Sequence, residues 1–109
     1  MASPLHPEVR ALIDAANLGD TDAFLSAFAP HLGVVDDWGR RFHGPRDIRS
    51  WSDAEFIGKD VTLKVIHFYE IADTEVTVIA HVGGNGFNGP SHFTFRTSGD
   101  RVTRMTIRA

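Results

Sequence analysis

The sequence contains no cysteine, so it can build neither a disulfide framework nor a thiolate metal site. It has no His-x-His, no His-Glu-x-x-His and no acidic loop of calcium type, and no metal is expected. No apolar run approaches the roughly 20 residues that a membrane span needs. Met1 to Arg10 lack the charged start and apolar stretch of a signal peptide. Basic excess is missing as well: a net charge of −3 leaves no footprint for nucleic acid. No serine sits in a nucleophile elbow. Gly83-Gly84-Asn85-Gly86 lacks the following helix and lysine of a phosphate loop, and reads instead as a bulge or mobile rim. A cytoplasmic protein without a cofactor is the expectation.

What remains is ordinary globular material. With 42% hydrophobic and 23% charged residues over 109 positions, and no repeat or linker, residues 1–109 form one domain. Ser3 and Pro4, or His6 and Pro7, can open a helix that carries Val9, Leu12, Ile13, Ala16 and Asn17 and stops at Gly19. Asp20 or Thr21 caps a second, with Phe24, Leu25 and Phe28 on one stripe and Pro30 as its end. Pro45 starts a third, with Ile48, Trp51 and Phe56 inward. From Lys59 the period changes to two. Val61–Ile71 and Thr74–Val82 form a hairpin about Ala72-Asp73, and Ser91–Thr97 and Arg101–Arg108 another about Ser98-Gly99-Asp100.

The order is therefore helix, helix, two short strands, helix, then four strands in a meander. It implies an α+β fold: one curved antiparallel sheet with three helices packed on its concave face. The strand runs are apolar on both faces, as in Val76, Val78, Ala80 and Val82 against Thr77, Ile79 and His81. Helices cover only one face, so the other is expected to meet a second copy in a homodimer.

The stretch from Val34 to Trp51 carries the chemistry. It reads as a strand ending in Asp36-Asp37, a tight turn rich in arginine, a short strand, and a helix begun by Gly44-Pro45. A carboxylate at the mouth of an apolar pocket can serve as a proton carrier. The strand period sends Asp36 and Asp37 to opposite faces, so only one enters a pocket. Asp36 is then the outward one, paired with Arg40 or Arg41.

The chain resembles the nuclear transport factor 2-like superfamily, in particular its SnoaL-type polyketide-cyclase-like and ketosteroid-isomerase-like members. Three segments carry the resemblance: Asn17-Leu18-Gly19-Asp20-Thr21-Asp22; Gly44-Pro45-Arg46-Asp47-Ile48-Arg49-Ser50-Trp51; and His92-Phe93-Thr94-Phe95 followed by Gly99-Asp100-Arg101-Val102. It implies a cone-shaped fold with an apolar pocket between helices and sheet, commonly in a homodimer. It also implies that Asp37 takes the place of the general base of the isomerase-like members. Their oxyanion-binding tyrosine falls on Leu12 and their protonated aspartate on Ser91, which offers a weaker donor. Loss of one such donor typically costs about 10²–10³ in rate, so steroid isomerisation itself is disfavoured.

The candidate catalytic residues are Asp37 as base, with His81 or Ser91 polarising a carbonyl. By motif alignment His81 shares the cavity face with Thr77 and Ile79. His67 shares a face with Val65 and Tyr69, and a slip of one residue in the hairpin would exchange these faces. The candidate ligand-binding residues are Trp38, Trp51, Phe24, Phe28, Phe56, Phe93, Phe95 and His67. Each aromatic can equally be plain core, since eight phenylalanines would either wall a hollow cone or fill a solid one. Two functions follow. One is a cofactor-independent isomerase, cyclase or dehydratase acting on a cyclic carbonyl metabolite. The other is a non-catalytic protein of the same fold that binds a small apolar or aromatic ligand, or serves through its dimer surface.

Overall fold

A computed structural model describes residues 4–109. Helix α1 (Pro7–Leu18) opens at Pro7 and closes at Gly19, whose φ of 69° turns the chain left-handed. The His6-Pro7 start is the one used, and Ser3 lies outside the described residues. Asn17, at the end of α1, both donates to the Leu63 carbonyl (3.0 Å) and accepts from the Leu63 N–H (2.6 Å). This amide stands in for a neighbouring strand and docks α1 on the sheet.

Helix α2 (Thr21–Ser26) is capped by Asp20, whose carboxylate accepts the Ala23 N–H. It ends well before Pro30. The Ala29 N–H bonds the Val102 carbonyl and the Val102 N–H bonds the Ala27 carbonyl, both at 2.8 Å. Pairing with a strand has replaced the last helical turn, and Phe28 leaves the helix while staying in the core. Helix α3 (Gly44–Glu55) buries Ile48, Trp51 and Ser52, and a 3-10 turn (Ile57–Lys59) follows it. No helix among the described residues is long and apolar enough to cross a membrane.

Strands β1 (Val34–Asp37), β2 (Arg40–His43), β3 (Thr62–Ala72), β4 (Glu75–Gly83), β5 (Gly89–Ser98) and β6 (Arg101–Arg108) form one sheet in the order β2-β1-β6-β5-β4-β3. The element order and the α+β class are those expected, and the sheet does not close. It is mixed rather than purely antiparallel, because β1 runs parallel to β6. The chain reaches β1 from α2 and must enter the sheet beside its last strand, a long-range pairing that no local pattern announces.

One face of the sheet packs on the helices. Val76, Val78, Ala80 and Val82 of β4, Phe93 and Phe95 of β5, and Val102, Met105 and Ile107 of β6 are all buried there. Phe24 meets Phe28 edge-on at 5.4 Å and Phe56 at 5.6 Å. The opposite face is more polar than the sequence pattern implied. Its cross-strand rows read His67, Ile79, His92, Arg108 and Tyr69, Thr77, Thr94, Thr106, with a hydroxyl contact of 3.0 Å between Thr77 and Thr94.

A bulge changes the assignment of β3. Val65 pairs with Ala80, yet His67 pairs with Ile79, so Ile66 is the extra residue. Val65 therefore faces the helices while His67 and Tyr69 face away, and the expected sharing of one face by Val65 and His67 fails at that point.

Candidate active site

The β1–β2 hairpin turns on two residues, Trp38 and Gly39, with φ of 55° and 90°. Both values are positive, the hand that a two-residue hairpin turn requires. This turn sets Asp37 opposite Arg40 and Asp36 opposite Arg41. Alternation then places Asp37 with Val35 on the helix side and Asp36 on the other, as the strand period implied.

On the far side Asp36 is almost fully buried. Burial pushes its pKa up, but hydrogen bonds from Arg108 (3.1 Å), the Gly39 N–H (2.8 Å) and Arg41 (3.4 Å) outweigh this and hold it below the usual carboxylate range. Its pairing with Arg41 is as expected, and Arg108 is an addition from β6.

On the near side the carboxylate of Asp37 is oriented through one oxygen. Its Oδ2 accepts from Arg40 Nη2 at 2.6 Å and from Trp51 Nε1 at 3.1 Å. Its Oδ1 accepts no hydrogen bond from the described residues. Arg40 also donates to both oxygens of Glu55, at 3.0 and 2.7 Å, and so ties the hairpin to the end of α3. These bonds hold the Glu55 carboxyl below its ordinary range, against the smaller effect of burial, and hold the Arg40 guanidinium above its own. Asp37 is thus an ion-paired carboxylate, and Arg40, one of the two partners expected for Asp36, bonds Asp37 instead.

A cavity of about 360 Å³ lies between α3 and the sheet beside this group. Asp37, Trp38, Trp51, Phe56, Phe93 and Ser91 all line it, together with Glu55, Lys59, Val61, Val82, Gly83, Gly86, Phe87 and Ile107. The glycine-rich segment forms part of its rim, as expected, but it is pinned. The Asn85 N–H donates to the Lys59 carbonyl at 2.7 Å, and the Asn85 amide reaches Asp60 at 3.1 Å. Gly84 has a φ of 123°, and a Cβ there would stand 2.7 and 2.8 Å from the Asp60 and Lys59 carbonyl oxygens. Only glycine lets the segment lie this close.

Several expected residues are elsewhere. Phe24, Phe28 and Phe95 are buried in the packed core and do not line the cavity. His81 does share a face with Thr77 and Ile79, but that face points away from the helices, and His81 is exposed. His67 lies on the same outer face, for the reason the bulge gives. Neither histidine reaches the cavity, because Val82 and Ala80 hold the inward positions of β4. Glu55, Lys59 and Phe87 were not anticipated. Glu55 follows Trp51 by four residues on α3, a helical spacing that would have found it. Lys59 and Phe87 arrive through a turn and a loop, and no periodicity marks them.

No protein-family model matches the chain, and no curated protein does. Solved structures do. A polyketide cyclase candidate from Sinorhizobium meliloti superposes with a TM-score of 0.85 at 28% identity, over 95% of each chain. The chain has the fold of the nuclear transport factor 2-like superfamily. A protein with a ketosteroid isomerase-like fold from Catenulispora acidiphila, in complex with trimethylamine, gives 0.80 at 24% identity over 99% of this chain and 87% of its own. A Mycobacterium tuberculosis protein in complex with estradiol-17β-hemisuccinate gives 0.82 at 14% identity, over 94% and 90%. Of the residues that the resemblance matched to the isomerase-like site, Asp37 and Ser91 line the cavity, while Leu12 is sealed in the core.

Proposed function

We propose that this chain binds a small, largely apolar molecule in the cavity between α3 and the sheet, and that Asp37 can exchange a proton with it. The observation that carries this reading is the geometry of Asp37. One oxygen is fixed by Trp51 and Arg40, and the other is left to a ligand in a chamber walled by Trp51, Phe56 and Phe93. Two structures of the same fold are complexes with small organic molecules, trimethylamine in one and a steroid hemisuccinate in the other, which supports ligand binding.

Chemically, Asp37 Oδ1 would take a proton from the carbon beside a carbonyl, and the Ser91 hydroxyl would donate to the developing oxyanion. The reaction would be an isomerisation, an aldol cyclisation or a dehydration. A positioned general base typically contributes about 10²–10⁴ in rate. A homodimer through the outer sheet face completes the proposal. The exposed ring of Tyr69, in the same outer row as Thr77, gives it support, since a second copy would withdraw that ring from water.

The test is deuterium uptake beside the carbonyl of cyclohexanone, tetralone and indanone, followed by proton NMR with wild-type protein and Asp37→Asn. Exchange accelerated by the wild type and lost in the variant is the expected result. Equal exchange with both proteins would remove the base role and leave binding alone.

A further inference from the structure

The two carboxylates on the cavity lining and the two open rings at its mouth point to the sign of the ligand's charge. Asp37 and Glu55 line the chamber, whereas Arg40, which bonds both, is not among the lining residues. Against them the lining holds one cation, Lys59, whose stem lies along Gly86 at the rim. Trp51, Phe56 and Phe93 are closed in by their neighbours. Trp38 and Phe87 instead remain 61% and 59% exposed while lining the same opening. Aromatic faces carry negative charge density and attract cations. Trp38 moreover keeps a left-handed backbone, which a bulky residue seldom adopts and which gathers at ligand sites. Asparagine or glycine would close this hairpin with less strain.

Building on the binding function proposed above, we infer that the ligand is an organic cation, with an ammonium group at the mouth among Trp38, Phe87, Asp37 and Glu55 and its apolar body inward against Phe93. Such a ligand places positive charge where two carboxylates and two ring faces converge. Its apolar end fills the part of the chamber that has no charged wall.

Calorimetric titration with naphthylmethylammonium, naphthylmethanol and naphthoate tests this, because the three share one ring system and differ in charge. The amine is expected to bind at least about fivefold more tightly than the alcohol, and the carboxylate most weakly. Glu55→Gln and Trp38→Ala should each weaken the amine more than the alcohol. Equal affinity for amine and alcohol would overturn the cation assignment and leave the binding function standing. Tightest binding of naphthoate would also overturn it and hand the selectivity to Lys59. Failure of all three to bind would remove the binding function and the inference together.

Discussion

Replacing Asp36 with asparagine separates the electrostatic from the structural part of the β1–β2 hairpin. Asparagine keeps an acceptor for the Gly39 N–H but loses the charge that faces Arg108 and Arg41. A hydrogen bond to a charged group contributes about 1.5–3 kcal/mol when buried, and an exposed ion pair less than about 1 kcal/mol. The Asp36–Arg108 contact lies between these limits, since the Asp36 side chain is 6% exposed and that of Arg108 is 44%. Arg41, at 3.4 Å, adds little. Asp36→Asn should therefore cost about 1–2 kcal/mol, a fall of about 4–8 °C in Tm for a domain of this size. Asp36→Ala should cost about 1 kcal/mol more, because the turn N–H then loses its acceptor.

The pH dependence has a definite sign. The folded pKa of Asp36 lies below its unfolded value of about 3.9. The stabilisation is then complete above that value and is lost as the pH falls through the folded one. Urea unfolding of wild type and Asp36→Asn at a series of pH values from about 7 downward should show a constant gap that closes only below about pH 4. A gap under about 0.5 kcal/mol at neutral pH, or one that persists unchanged into acid, would refute the assignment of Asp36 as the ionised anchor of this hairpin.

Gly84→Ala should lower stability by about 2 kcal/mol or more, since its Cβ meets two carbonyl oxygens and its φ is left-handed. Faster amide exchange at Asn85, whose N–H bonds Lys59, would report the same loosening. Phe24→Ala removes a fully buried ring at the centre of the aromatic cluster and should cost about 3–5 kcal/mol, read from the shift in the denaturant midpoint. His81→Ala should leave the affinity for naphthylmethanol within about twofold, because the side chain lies on the outer face. A larger loss would return His81 to the site.

Most of the fold was legible because its signals are local. Pro7, Gly19, Asp20 and Pro45 mark helix ends by backbone chemistry alone, whereas β4, apolar on both faces in sequence, turns Val76, Val78, Ala80 and Val82 to the helices and not the expected face of Thr77, Ile79 and His81. Where reading failed, a longer-range partner decided. Phe28 carries a helical spacing from Phe24, yet β6 offers its segment strand pairing instead. Ile66 is the plainest case: nothing in Val65-Ile66-His67-Phe68 distinguishes a regular strand from a bulged one. The extra residue alone moves His67 to the outer face and leaves Phe68 paired with Val78 on the inner one. A bulge is set by the fit of two strands, and one strand does not contain that information.

The site depends on a similar count of one, made in the opposite direction. With two residues in the turn, Asp37 stands across from Arg40, and Asp36 from Arg41. Both carboxylates thereby acquire a guanidinium of their own, on opposite faces of the sheet. Lengthening the turn by one residue would offset the pairing and set each acid diagonal to its arginine. Arg40 could then no longer hold Asp37 and Glu55 together, and Trp51 alone would orient the Asp37 carboxylate. The left-handed Trp38 is what the short turn demands of the residue after Asp37. The strain at the mouth and the orientation of the carboxylate thus have one cause, and a single insertion after Gly39 should abolish both while leaving the core of Val35, Phe93 and Met105 intact.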